Sequence, residues 1–423
     1  MHYCRNSILL IILVIVALLL PSVGCHDSDQ TQEVENPVSQ PLGLEETFEE
    51  IPSLNVVESN IAVEETGHRW ASSEIQLREP VSQITFIDQS KGWACNKGFV
   101  YKTIDSGKNW KPTPIGFIEQ NDEINKIAFT DELRGWIVLQ QNASRNEFSE
   151  KDKFRVFRTL DGGETWKLSI VVDSAQLSDF QASDNAVWIA ANHFVGYHPQ
   201  RFRPLMFHFS EKTNKWSDVS NGILRIYNDE IRYLENDKAA LDYASVSLEK
   251  ISIAKTNCVV AVTAKQSIIQ SCDDGDNWKL INFHGRYGSR LNINQVNTVN
   301  NVVWSLEATG GIEGTGSRLV AVPLEPIGNA KLITIGGYFL TQGYWVSGDE
   351  FVAAGERVPT DVNSGENIKK DVVIRTLDGG RNWVEIYSSL MKTNRGTFFF
   401  SDSNVIWLID GDGIVRRISN GLG

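Results

Sequence analysis

Apolar and polar positions divide this chain into three stretches. One unbroken apolar run, Ile8–Leu20, covers 13 residues near the start. A polar stretch from His26 to His68 follows, with Glu, Gln and Pro and few large apolar residues. From Arg69 onward the apolar positions come in short phrases closed by turn residues, as at 259–264, 405–410 and 413–418. Phrases of that length between turn signals predict β-strands. The third stretch is therefore expected to be all-β.

The phrases repeat. Four segments share the form Ser/Thr-x-Asp-x-Gly-x-x-Trp. They carry Thr103, Asp105, Gly107 and Trp110; Thr159, Asp161, Gly163 and Trp166; Ser271, Asp273, Gly275 and Trp278; and Thr376, Asp378, Gly380 and Trp383. At average residue usage a chance match is on the order of 10⁻⁵ per position, so four matches are one repeat used four times. A tight turn between antiparallel strands needs a residue that tolerates positive φ, which Gly supplies. The Asp carboxylate can accept backbone N–H bonds within its own turn, and the hydroxyl adds a second local bond. The Trp opens the next strand and packs over the hairpin. The Asp is thus expected to be a turn clasp and not a catalytic acid.

These segments resemble the Asp-box, or bacterial neuraminidase repeat. A second phrase precedes the first two boxes: Ile84-Thr85-Phe86-Ile87-Asp88 running to Gly92-Trp93, and Ile127-Ala128-Phe129-Thr130-Asp131 running to Gly135-Trp136. That pairing of phrases is similar to the photosystem II assembly and stability factor family. The resemblance implies a seven-bladed β-propeller. Counting supports it, because the second-strand phrase recurs, with decay, at Trp93, Trp136, Trp188, Val259, Trp304, Phe351 and Trp407. Boxes are intact in blades 1, 2, 4 and 6; blade 3 keeps a remnant at 210–216, and blade 5 has lost its box near 323–329. Blade 7 shows three strands before the chain ends, whereas 69–75 reads as a strand following a box that is absent. That N-terminal strand is expected to complete the last four-stranded antiparallel blade and close the ring, leaving only short protected edges.

The flanks add a location. Arg5, the short apolar run and the small residues Ser22 and Gly24 describe a secretory signal over residues 1–25, too short for a comfortable membrane span. Leu20-Pro21-Ser22-Val23-Gly24-Cys25 resembles a bacterial lipobox, departing from it at Ser22, and implies lipidation of Cys25. Ordinary cleavage and an uncleaved anchor remain open; every reading places the rest outside the cytoplasm. The formal charge is −13, but eleven acids and no Lys or Arg lie within His26–His68, so residues 69–423 are close to neutral. The expectation for 26–68 is a disordered acidic tether, and for 69–423 a propeller with no nucleic-acid footprint. Cys258 and Cys272 flank a predicted hairpin, either bonded to one another, as an exported location permits, or as two buried thiols.

With boxes joining strands 3 and 4 of each blade, every long insertion falls on the opposite face. These are 141–153, 192–204, 309–317 and 356–370 between strands 2 and 3, and 221–245 and 284–290 between blades. The insertion 221–245 fits either a short helix or an extra hairpin. Long loops on a rigid scaffold concentrate binding residues. Two of them nominate His193, Phe194, Tyr197, His198, Arg201 and Arg203, and Arg286, Tyr287 and Arg290, as a partner-binding set, since aromatic and Arg side chains dominate interface hot spots. The sequence offers no Cys/His metal cluster, phosphate loop or nucleophile elbow, so neither cofactor nor metal is expected. The leading expectation is a monomeric, non-catalytic, surface-tethered scaffold for a protein partner in a membrane or envelope complex. The alternative is a glycoside hydrolase of sialidase type, which lacks a nominable carboxylate pair here.

Overall fold

The computed structural model describes residues 55–58, 60–63, 70–75, 77, 79–141, 151–197, 200–226, 247–254, 258–263, 267–283, 292–309, 316–324, 330–358, 370–390 and 396–420. They pair into seven antiparallel four-stranded meanders. Blade 1 is Gln83–Phe86, Gly92–Cys95, Phe99–Thr103 and Lys111–Pro114; blade 2 is Asp122–Phe129, Gly135–Gln141, Lys153–Thr159 and Lys167–Asp173. Blade 3 is Ala175–Ala182, Ala186–Tyr197, Gln200–Ser210 and Lys215–Asp218; blade 4 is Leu248–Ile253, Val259–Thr263, Ser267–Ser271 and Lys279–Phe283. Blade 5 is Asn292–Val299, Val302–Thr309, Gly316–Pro323 and Lys331–Gly336; blade 6 is Tyr338–Trp345, Phe351–Arg357, Lys370–Thr376 and Asn382–Leu390. Blade 7 takes Thr397–Phe400, Val405–Ile409 and Val415–Asn420 from the C-terminus and Trp70–Ile75 from the N-terminal side. The first strand of each blade packs beside the first strand of the next, and that of blade 7 beside that of blade 1. The ring is closed as the sequence predicts.

Burial explains why the second strands are the legible ones. A second strand lies between its own blade's neighbours and the two flanking blades, so both of its faces meet protein. Gly92–Cys95, Val259–Thr263 and Val405–Ile409 are buried at every position. All seven marker residues, from Trp93 to Trp407, lie in second strands and are buried. Outer strands face solvent and keep weaker patterns; Lys111, Pro112 and Pro114 of blade 1 are exposed.

The Phe…Gly-Trp phrase builds the seams between blades. Trp93 of blade 1 stacks on Phe129 of blade 2, with centroids 3.7 Å apart and planes 5° apart, and its indole N–H donates to Gly162 O at 2.9 Å. Trp407 of blade 7 stacks likewise on Phe86 of blade 1 at 4.4 Å and 12°. The glycine of the phrase makes room for that ring: a Cβ on Gly135 would lie 2.4 Å from Phe129 Cε1, and one on Gly92 2.4 Å from Phe86 Cε1. The Asp of the phrase ties the turn. Asp88 Oδ1 accepts the N–H groups of Ser90 and Lys91 at 2.7 Å each, and Asp131 Oδ1 those of Leu133 and Arg134 at 2.8 and 2.6 Å.

Two expectations are corrected, and one of two open alternatives is found. The expected tether does not extend unbroken to residue 68, because Asn55–Glu58 and Asn60–Val63 form strands. The first pairs parallel to the outer strand of blade 5 and the second parallel to that of blade 6. The compact unit accordingly begins at Ile51. The mean polarity of 26–68 hid two short β-branched phrases whose backbone groups satisfy exposed sheet edges. The insertion at 192–204 is not a loop but the projecting end of a twelve- and an eleven-residue strand, paired to Tyr197–Gln200 with a bulge between Phe194 and Gly196. The start of 221–245 is helical, Ser220–Ile226.

Candidate functional site

In a four-stranded meander the 1–2 and 3–4 turns share one end, and the 2–3 turns and blade exits share the other. The four Ser/Thr-x-Asp-x-Gly-x-x-Trp turns therefore stand on one face. Their networks are the same at each site. In the first, the Thr103 hydroxyl donates to Asp105 Oδ1 at 2.9 Å and accepts the Gly107 N–H at 2.9 Å. The Asn109 backbone N–H reaches Asp105 Oδ1 at 2.9 Å and its side-chain amide reaches Oδ2 at 2.7 Å. The Trp110 indole N–H returns to Gly107 O at 3.0 Å. Thr159–Asp161–Gly163–Trp166, Ser271–Asp273–Gly275–Trp278 and Thr376–Asp378–Gly380–Trp383 repeat each bond within 0.2 Å of its counterpart, with Thr165, Asn277 and Asn382 in the Asn109 role. In the second turn the Thr165 hydroxyl takes the place of the Asn side-chain amide, donating to Asp161 Oδ2 at 2.5 Å.

These bonds hold the carboxylates ionised. The Asn109 N–H groups keep Asp105 below the ordinary carboxylate range, and Asn277 and Asn382 do the same for Asp273 and Asp378. For Asp161 partial burial works upward, but the Thr165 and Thr159 bonds outweigh it and bring the group down to about 2. An acid so saturated with donors is a poor proton donor and a good clasp. The glycines serve a second end. A Cβ on Gly107 would meet Trp407 of blade 7 at 2.3 Å, and one on Gly380 would meet Ile333 of blade 5 at 2.6 Å, so each clasp seats against the preceding blade.

On the opposite face the structure describes part of the predicted partner-binding set. Phe194 is 4% exposed and its ring meets Phe202 edge-on at 6.1 Å. It packs the hairpin and is withdrawn from a docking role. Arg203 points along the same hairpin, with its guanidinium 3.4 Å from Asn221 Oδ1 of the short helix. Asn192 beside them binds blade 3 to blade 4, donating to Leu248 O at 3.0 Å and accepting the Leu248 N–H at 2.9 Å. His193 is half-buried on the same strand. Tyr197 and Arg201 lie at the hairpin tip, and their side chains are outside the described residues, as are His198, Arg286, Tyr287, Arg290 and Cys25. Cys258 and Cys272 are joined by a disulfide across the base of the blade 4 hairpin.

Three arrangements escaped the sequence. Tyr338 donates to Glu385 Oε2 at 2.9 Å, and Arg357 binds the same carboxylate through Nε at 3.0 Å and through Nη2. Burial, then the neighbouring carboxylate, pushes the Tyr338 hydroxyl up to about 12. Glu307, 2% exposed, accepts the Ser305 hydroxyl at 2.9 Å, and burial pushes it up to about 7 against the pull of Ser305 and Arg318. A cleft of about 430 Å³ at the closing seam is lined by Lys108, Arg417, Ser106 and Asn404, with no acid in its lining. Residue type hints at none of these: Ser305–Glu307 aside, the partners lie 11 residues apart for Glu307 and Arg318, 28 and 47 for Arg357 and Tyr338 with Glu385, and further still for Lys108 and Arg417. Among the described residues no three His, Cys, Asp or Glu side chains gather as a metal site, and no helix is long and apolar enough to cross a membrane.

No family model matches the chain, and no curated protein matches it. Solved structures match the fold. YCF48 bound to D1 peptide is 14% identical, covering 84% of this chain and 96% of that one at a TM-score of 0.52. YCF48 from Cyanidioschyzon merolae is 16% identical, covering 84% and 100% at 0.52. A GH74 enzyme from Niastella koreensis is 12% identical, covering 79% and 54% at 0.40. At these identities the YCF48 structures establish a shared propeller fold for this chain.

Proposed function

We propose that the chain is an exported, membrane-tethered propeller that binds a protein partner as a non-catalytic scaffold or assembly factor, its four clasps being Asp-boxes. The carrying observation is the blade 3 hairpin, Ala186–Ser210, which projects on the face opposite the clasps and is fixed at its root by Asn192, Phe194 and Phe202. A rigid projecting hairpin presents side chains at low ordering cost. The motif carboxylates are consumed by their own turns, which leaves the clasp face with structural work. The similar structure of YCF48 bound to D1 peptide supports a peptide or protein ligand for a ring of this shape. A role in photosystem assembly follows only in a photosynthetic source.

Among the described residues, the Tyr338–Glu385–Arg357 contact is the feature that favours glycoside hydrolysis, through a Tyr–carboxylate pair. The high proton affinity of the Tyr338 hydroxyl and its burial oppose a nucleophilic role. The test combines two measurements on the full-length protein. Cross-linking pull-down should recover a protein partner from wild type and lose it when His193, Arg201 and Arg203 are changed together to Ala with melting unchanged. A panel of fluorogenic sialosides and glycosides should show no turnover. Retained capture by the triple variant defeats the face assignment, and turnover abolished by Tyr338→Phe defeats the non-catalytic reading.

A further inference from the structure

The N-terminal side of the chain supplies strands to three successive blades. Asn55–Glu58 lies on the outer edge of blade 5, Asn60–Val63 on that of blade 6, and Trp70–Ile75 is the outer strand of blade 7. The register is continuous in direction, Asn55 to Lys331 through Glu58 to Thr334, then Asn60 to Asn382 through Val63 to Glu385. The two added strands follow their partners in parallel and cross the seam where the blade 6 clasp meets blade 5. At that seam Lys331 Nζ donates to Gly379 O at 2.6 Å, and Ile333 abuts Gly380.

An outer strand presents unpaired N–H and C=O groups that template a further strand. The ring treats its edges differently. Blade 1 ends on Pro112 and Pro114, which cannot donate, and blade 3 ends on a four-residue strand followed by a helix. The edges of blades 5 and 6 lack those guards. Lys331–Gly336 reads Lys-Leu-Ile-Thr-Ile-Gly, and Asn382–Leu390 is the longest outer strand among the described residues. Among the described residues, only these two edges carry a fifth strand. The occupant is short, four residues in each half. Parallel pairing is also slightly weaker per residue than antiparallel. In blade 6 it pairs with Asn382–Glu385, and the pairing ends there while the outer strand continues to Leu390.

We propose that the outer edges of blades 5 and 6 form a strand-addition site, that residues 55–63 are its resident occupant, and that an extended partner segment of the same chemistry displaces them. The sequence Asn-Val-Val-Glu-Ser-Asn-Ile-Ala-Val defines that chemistry: nine residues, four of them Val or Ile beside one Ala, with a single charge. Main-chain bonds would give the affinity and β-branched side chains the selectivity. The site lies on the perimeter of the ring and goes beyond the hairpin-face reading, so either can fail without the other.

The experiment uses full-length protein and a fluorescent synthetic peptide of residues 53–64. Val57→Pro together with Ile61→Pro removes donors from the resident segment and empties the edges. The peptide should bind this variant at least tenfold more tightly than it binds wild type, by anisotropy. Equal affinity for the two proteins, or binding to neither, overturns the proposal. Hydrogen exchange on wild type supplies a readout that needs no variant. Within Leu332–Ile335 and Asn382–Glu385, the alternate amides that face the added strands, and not those that bond the blade's third strand, should open well below the free energy of global unfolding, as a displaceable strand requires. Exchange of those amides only through global unfolding also overturns it.

Discussion

Replacing Glu307 by Gln should stabilise the ring above neutral pH and leave it nearly unchanged at pH 5. Glu307 sits in the second strand of blade 5, 2% exposed, opposite Arg318 of the third strand. Its carboxyl accepts the Ser305 hydroxyl at 2.9 Å, too little to replace the water that burial removed. Burial therefore raises its proton affinity to about 7. In the unfolded chain a Glu titrates near about 4.3, so the folded state holds the proton over a window in which the unfolded state has released it. The folded pKa is the higher one. Stability from this group is thus fully present below about pH 4.3 and is lost as pH rises through 7. Each pH unit between the two values corresponds to about 1.4 kcal/mol, giving about 4 kcal/mol across the window, of which about 3 falls between pH 5 and 7. Gln keeps the shape and accepts the Ser305 hydroxyl, but has no charge to bury. Denaturant midpoints of wild type and Glu307→Gln, taken from pH 5 to 9 at fixed salt, measure the difference directly. The gap should open between pH 5 and 7 and level off near pH 8. A gap independent of pH, or one that closes as pH rises, would refute the assignment of a neutral buried carboxyl.

Other consequences follow from the clasps, seams and crosslink. Asp161→Ala should destabilise by about 1–2 kcal/mol at pH 7, by loss of charge-assisted bonds on an exposed turn. Because the Asp161 pKa is depressed to about 2, wild type should lose this advantage as pH falls from about 4 through 2, which thermal melts of both proteins would reveal. Gly135→Ala places a Cβ 2.4 Å from the Phe129 ring and should cost about 1–3 kcal/mol by denaturant unfolding, with Trp93 fluorescence changing as its stack on Phe129 is disturbed. Cys258→Ser with Cys272→Ser opens a crosslink over 14 residues and should lower stability by about 3 kcal/mol relative to oxidised wild type. Deleting residues 69–76 removes the outer strand of blade 7, and an unchanged melting temperature would contradict closure through that strand.

The local repeats carried the architecture into the sequence. The Ser/Thr-x-Asp-x-Gly-x-x-Trp clasps are local, since the bonds among their Ser/Thr, Asp, Gly and Trp residues join positions two to four apart. Such a unit must be spelled out in consecutive residues and is therefore readable. The second strands are readable for a related reason, because burial on both faces favours apolar residues along most of the strand, whichever neighbour supplies the contact. Ring closure was legible as arithmetic, one strand short at the C-terminus and one spare at 70–75.

Tertiary structure decided what rests on distant partners. That Phe129 fills the space left by Gly135 was implicit in one phrase, but its stack on Trp93 depends on the twist that brings blade 1 against blade 2. Glu307 is an ordinary glutamate in sequence and becomes a near-neutral titrating group only through its burial. Tyr338, Arg357 and Glu385 meet across 28 to 47 residues. Phe194 looked like a docking residue until its hairpin partner Phe202 covered it. Residues 55–63 lay in a stretch whose mean polarity spoke for disorder, and two exposed sheet edges gave them partners. The sequence alone determined the repeat, the blade count and the strand that closes the ring, because each is a local pattern of turns and burial. The geometry of the seams, the proton affinities and the edge occupancy belong to the closed ring, where position relative to other blades sets solvation and partners.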